Sequence, residues 1–118
     1  MTEAFADPGS ISGYYAHIYY TPETKPLAAE LREAIGRQFE AVLGRWHDAP
    51  VGPHPISMYQ VAFAVAEFPR LLPWLMLNRN GLDVLVHPET SDAYTDHTAH
   101  AAWLGTPQKL RLDVFRRG

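Results

Sequence analysis

The chain has 118 residues, a formal net charge of −3, 47% apolar residues and no cysteine, which supports one domain around one hydrophobic core. Disulfide scaffolds, thiolate metal sites and cysteine nucleophiles are thereby excluded, and any metal must be held by nitrogen and oxygen. Acids and bases are interspersed and the adjacent Arg116 and Arg117 are too few to form a basic stripe, so nucleic acid is not an expected partner.

Residues 1–12 read as a flexible leader, small and polar with a Pro8-Gly9 pair and no apolar periodicity, and without the basic and apolar regions of a secretory signal. A single domain is expected over 13–118. Its longest strongly apolar stretch, 71–77, contains Pro73 and is far shorter than the ~20 residues of a spanning helix, so no membrane association is expected and a cytoplasmic location is the default.

The aromatic-rich segment 14–20 ends at Thr21-Pro22 and predicts a strand that presents Tyr15, His17 and Tyr19 on one face. Over 26–43, Leu27, Leu31, Ile35, Phe39 and Leu43 recur every fourth position, which predicts an amphipathic helix with Thr24 as N-cap and Gly44 as its stop. Residues 45–55, with three prolines, Gly52 and two histidines, leave room for a short strand and an irregular loop. A strand is predicted over 56–65, with Val61 and Phe63 on one face and Met58, Gln60 and Ala62 on the other. A helix over 67–79 follows, where Pro73 would bend or delay it.

Asn80-Gly81 breaks the chain before an apolar strand over 82–87 that runs into Pro88. Asp96 is placed as the cap of a helical turn reaching Ala102, and Leu110, Leu112 and Val114 predict a last strand over 109–115. The order of elements is the split βαβ pattern of a ferredoxin-like α+β sandwich with an additional C-terminal strand. In that architecture helices cover one sheet face and leave the other open, to be covered by a homodimer partner or to form a substrate pocket.

Of six histidines, four sit beside residues that restrain their backbone: His17 in a strand, His54 between prolines, His87 before Pro88 and His97 after Asp96. Imidazole suits both metal ligation and proton transfer near neutral pH. There is no HExxH or other compact signature, so spacing alone does not separate a metal site from a strand residue packed between tyrosines, a turn residue and a strand end. His47 and His100 read as surface or structural residues, and Asp96, adjacent to His97, as a cap rather than its orienting partner.

Five blocks taken in order carry a resemblance: Gly13-Tyr14-Tyr15-Ala16-His17-Ile18-Tyr19-Tyr20; His47-Asp48-Ala49-Pro50-Val51-Gly52-Pro53-His54-Pro55; Trp74-Leu75-Met76-Leu77-Asn78-Arg79; Leu85-Val86-His87-Pro88-Glu89-Thr90; and Asp96-His97-Thr98 with Trp103-Leu104-Gly105. Over about residues 13–115 the chain resembles the DOPA 4,5-dioxygenase family. The resemblance implies a ferredoxin-like fold and a non-haem iron(II) enzyme that opens a catechol ring with O2, as in conversion of DOPA to a yellow-pigment precursor.

It further implies His17, His54 and His87 as metal ligands, leaving positions for a catechol and O2, and His97 as the group that moves a proton. Tyr59 and Trp103 are placed to stack on the ring, and Arg79 to bind a substrate carboxylate. Fungal relatives tend to have an acid where this chain has Gln60, which makes His54 as third ligand, or Glu89 as a carboxylate ligand, the more attractive choice. The alternative is a dimeric ferredoxin-like module that binds a small aromatic ligand without catalysis.

Overall fold

The structure is a computed structural model that describes residues 5–115; residues 1–4 and 116–118, and with them part of the expected leader and the paired arginines, lie outside the described residues. Five antiparallel strands form one sheet in the order β2-β3-β1-β4-β5: β1 is Gly13–Tyr19, β2 Ala41–Leu43, β3 Met58–Phe63, β4 Val84–Glu89 and β5 Ala102–Leu104. Two long helices, α1 (Lys25–Gln38) and α2 (Phe68–Asn78), and a short one, α3 (Ala93–His97), complete an α+β architecture.

The period-two alternation of β1 sorts its side chains between two environments. Ala16 and Ile18 join Tyr59, Val61 and Phe63 of β3 and Val84 and Val86 of β4 in a core closed by Ala28, Leu31 and Ile35 of α1 and Leu71, Leu72 and Leu75 of α2. On the opposite face Tyr19, Met58 and Leu85 form a second, smaller cluster with Ile56, Ala101, Trp103 and Leu110. The face expected to be open is therefore covered in part by the chain's own loops.

Several sequence expectations shift. The first helix stops at Gln38, because Phe39 is extended (φ −132°, ψ 153°) and Ala41–Leu43 pairs with Val61 to Phe63 as an edge strand. Phe39 and Leu43 still pack on the main core from this extended path, which is why a four-residue apolar repeat continued past the helix. Gly44 is no helix stop: its N–H donates to the Gln60 carbonyl at 2.7 Å beside β3. The short strand expected within 45–55 is reduced to two isolated bridges, His47 with Met58 and Val51 with His54. Thr24 makes no side-chain cap to the helix, since its hydroxyl accepts the N–H of Thr21 at 2.8 Å.

α2 runs through Pro73, whose missing N–H removes the bond to the Pro69 carbonyl. Both prolines are exposed, so water can serve that carbonyl. The fifth strand is Ala102–Leu104, paired with Val84 to Val86, rather than 109–115. The later segment leaves the sheet: Leu110 packs into the second cluster, the Arg111 N–H donates to the Pro53 carbonyl at 2.8 Å, and Leu112–Phe115 forms a 3-10 turn. The described part of the expected leader carries a 3-10 turn at Pro8–Ser10, and the Ser12 N–H is donated to the Glu89 carbonyl at 3.0 Å.

Candidate metal centre

Register places Gln60, His17, Leu85 and Trp103 in one row across β3, β1, β4 and β5, with Tyr15 and His87 paired beside it. Cross-strand partners share a face, so His17 and His87 project to the side away from α1 and α2. His54 reaches them from a loop folded back on itself, where His54 and Val51 exchange both backbone hydrogen bonds around Gly52. Gly52 has φ +54°, the left-handed region in which a side chain is disfavoured.

His97 arrives from α3. That helix is capped by Asp92, whose carboxylate accepts the Thr95 N–H at 3.3 Å, and not by Asp96 as the sequence suggested. Asp96 is instead buried at 2% exposure and accepts the Thr90 N–H, the Thr90 hydroxyl and His100 Nδ1 at 2.7, 2.7 and 2.9 Å. This network ties α3 to the end of β4 and so sets where His97 stands. His100, read as a surface or structural residue, has the structural role.

The four histidines meet. Ring centroids of His17 and His54 are 4.2 Å apart, those of His87 and His97 4.0 Å, and those of His17 and His87 5.1 Å. One ring nitrogen from each of His17, His54 and His97 lies within 4.8 Å of the others, a group that could hold a metal ion. His87 stands alongside, its Nε2 3.1 Å from His17 Nε2. The converging group thus differs by one member from the set inferred from the sequence, with His97 in the place given to His87. A side chain's approach from a short helix cannot be read from spacing, whereas a strand histidine announces its face.

Hydrogen bonds orient the rings. His87 Nδ1 lies 2.9 Å from the Pro88 carbonyl and His97 Nδ1 2.8 Å from the Ala93 carbonyl. A carbonyl only accepts, so both rings carry a proton on Nδ1, and Nε2 is the nitrogen through which either could bind a metal. His54 Nδ1 is 2.7 Å from the Tyr19 hydroxyl. His17 Nδ1 is buried and has no partner among the described residues.

Burial, followed by the neighbouring imidazoles, pulls the His17 pKa well below its usual value and that of His54 to about 4. Burial likewise lowers His87 to about 4, against the opposing pull of the Pro88 carbonyl. These imidazoles are neutral at pH 7, as metal ligands must be. Neutral nitrogen donors brought together without a thiolate, one of them an orphaned buried atom, suit a divalent transition metal.

The remaining sequence-inferred residues divide. Trp103 lies on the histidine face and stacks on Tyr19 at 5.9 Å between centroids. Tyr59 does not reach the site: it is fully buried on the helix side, where its hydroxyl donates to the Ala28 carbonyl at 2.8 Å. Its neighbour Gln60, one residue on, takes the other face. Arg79 is also not brought to the histidines, since it ends α2 and its Nε–H donates to the Leu82 carbonyl at 2.9 Å. Glu89 is exposed and accepts the Tyr15 hydroxyl at 3.1 Å. Three neighbours were missed: Tyr15 and Tyr19, which alternation already placed on the face of His17, and Phe115, whose ring lies 4.9 Å from that of His97 and which was read as part of a strand.

Comparison with known proteins agrees with this geometry. The Dopa 4,5-dioxygenase family model matches residues 14–114. An uncharacterised 21.2 kDa protein of Botryotinia fuckeliana is 36% identical, the match covering 98% of this chain and 71% of that protein. The DOPA 4,5-dioxygenase of Amanita muscaria is 34% identical over 86% of this chain but 49% of its own length, so the chain spans about half of that enzyme. A crystal structure of a Nostoc punctiforme protein described as a "putative dioxygenase" superposes with a TM-score of 0.92 at 49% identity, covering 93% of this chain and 96% of that one. With the family match running through every histidine of the cluster, the chain belongs to the DOPA 4,5-dioxygenase family.

Proposed function

We propose that the protein is a non-haem iron(II) extradiol dioxygenase that opens the ring of a catechol, such as L-DOPA, with O2 to give a yellow seco-DOPA-type product. The observation that carries this reading is the convergence of His17, His54 and His97 on one face of a sheet in a chain of this family. In the proposal these three residues hold the iron. When bound, iron(II) would supply a meeting point for both catechol oxygens and O2, and the electron transfer that ground-state O2 needs to react with a closed-shell ring.

The chain's own groups divide the remaining work. His87, with its proton fixed on Nδ1 by the Pro88 carbonyl, offers a neutral Nε2 that takes the catechol hydroxyl proton and returns it to the oxygen formed on cleavage. Proton transfer therefore passes to His87 from His97. Trp103, held against Tyr19, supplies a flat apolar wall for the ring. Arg79, whose Nε–H is taken by the Leu82 carbonyl away from the histidines, has no part in substrate recognition in this reading.

The same reading takes the β1-α1-β2-β3-α2-β4 order as ferredoxin-like, with β5 added at the edge. It places the protein in the cytoplasm; no helix among the described residues is long and apolar enough to cross a membrane. It also includes a symmetric homodimer through the uncovered end of the histidine face, where Val42 is exposed beside Ala62. Light scattering at high concentration would sink that part by returning a monomer.

The deciding experiment is anaerobic reconstitution with iron(II), followed by a panel of catechols under air and detection of a yellow product. Stoichiometric iron and turnover of at least one catechol are expected. Metal-independent binding of aromatic ligands, with no product from any of them, would overturn the enzyme in favour of a binding module.

A further inference from the structure

We infer that Tyr19 is a positioning residue for the metal centre, accepting the Nδ1–H of His54 so that Nε2 of that ring is presented as a lone pair. This rests on the reading of His54 as a ligand, and it assigns a role to a residue that neither touches the metal nor the substrate. The other two restrained rings are fixed by backbone carbonyls, which can only accept: Pro88 for His87 and Ala93 for His97. His54 comes from a loop, and a hydroxyl takes the equivalent place, with Tyr19 Oη 2.7 Å from His54 Nδ1.

A hydroxyl can donate or accept. If Tyr19 donates, the His54 proton must sit on Nε2 and that nitrogen cannot bind a metal. Metal binding at Nε2 therefore selects the opposite direction, Nδ1–H to Oη, in which the phenol oxygen also raises the basicity of the ring. Tyr19 is held for this task. It is 2% exposed, its ring stacks on Trp103, and its backbone is fixed between Met58 on β3 and the Asp83 carbonyl, which accepts its N–H at 3.0 Å. Being on β1, it also fixes His54 relative to His17, two residues away on the same face, so one rigid strand sets the spacing of two ligands.

The test is a double-mutant cycle on iron(II) affinity, measured by chelator competition under anaerobic conditions, for the parent, Tyr19→Phe, His54→Ala and the double variant. Circular dichroism of each verifies the fold. Tyr19→Phe is expected to weaken iron binding by roughly tenfold to a hundredfold and to have no further effect once His54 is alanine. In the zinc-loaded parent, proton NMR should show a strongly hydrogen-bonded His54 Nδ1–H that loses its downfield shift in Tyr19→Phe. Unchanged affinity in Tyr19→Phe, or an equal loss in both backgrounds, would overturn the assignment, the latter by showing general loosening of the fold. A parent that binds no metal would instead overturn the ligand reading itself, and this inference with it.

Discussion

The two faces of this sheet are made from alternate residues of the same strands, yet they obey different rules. On the helix side the core side chains are apolar and buried, the Tyr59 hydroxyl is matched by the Ala28 carbonyl, and the guanidinium of Arg32, one nitrogen of which is buried without a partner among the described residues, lies over the Tyr59 ring at 5.0 Å. On the other side four imidazoles crowd together, three of them 3 to 5% exposed, with His17 Nδ1 unpartnered among the described residues. Burying polar groups without full satisfaction is destabilising. The first face holds the fold together, and the second has geometry whose rationale is a ligand that completes it. Substitutions on the two faces should therefore separate stability from metal binding.

The largest effect is expected from the converging histidines. Changing His17, His54 or His97 to alanine should each lower iron stoichiometry and abolish turnover while the far-ultraviolet circular dichroism stays that of the parent. Full iron and full turnover in all three variants would break the assignment. His97 is the most informative, because the sequence alone placed it as the proton carrier; retained iron with lost turnover there would restore that role.

A smaller effect is expected at His87, which adjoins the group without completing the set of three. His87→Ala should keep its iron and lose turnover by roughly a hundredfold or more, the scale of general acid–base catalysis. Iron content and steady-state kinetics measured side by side decide it. Loss of iron would show that the 3.1 Å approach of His87 to His17 is made between two ligands of one ion.

Much of this contrast was legible in the residue order, and the exceptions have physical causes. Period two in β1 and β3 placed Tyr15, His17 and Tyr19 against Ala16 and Ile18 correctly, because strand alternation is local geometry. The same rule separates Tyr59 from Gln60, so the expected stacking role of Tyr59 conflicted with a signal already present in the sequence. What periodicity could not supply was the approach of loops. His54 and His97 enter on a proline-bounded turn and a five-residue helix, whose directions depend on the bonds of Arg111 to Pro53 and of Asp96 to Thr90. The 109–115 segment failed similarly. Alternating leucines are as compatible with a strap crossing a sheet as with a strand in it, and only the missing pairing partners tell them apart.

The neutral imidazoles also give the histidine face a pH dependence of its own, in the range where imidazoles titrate. The pKa values of His54 and His87 fall from 6.5 to about 4 on folding, burial being the main cause. Above pH 6.5 these imidazoles are neutral in both the folded and the unfolded chain and contribute no slope. Between 6.5 and about 4 the unfolded chain binds protons that the folded chain refuses, so stability rises with pH and is lost as pH falls through that window. The metal-free protein should lose roughly a few kcal/mol between pH 7 and 4.5, read as a falling urea midpoint. His54→Ala and His87→Ala should each flatten the curve. A parent whose midpoint is constant over that range would show that the imidazoles are not buried as described.

The smallest expected effect sharpens the comparison most, because it applies one substitution to both faces. Tyr59→Phe removes a hydroxyl whose partner, the Ala28 carbonyl, belongs to the first turn of α1, so the loss falls on the packing of helix against sheet. About 1 kcal/mol of stability should go, the usual contribution of one such hydrogen bond, with iron affinity, KM and kcat all unchanged. Tyr19→Phe removes the same atom from a strand in the same sheet, but its partner is His54, and there the loss should appear as metal affinity. The tyrosines lie on neighbouring strands, so a general weakening of the sheet would affect both variants alike. A rise in KM for Tyr59→Phe would return Tyr59 to the substrate site and contradict its placement beneath the helices.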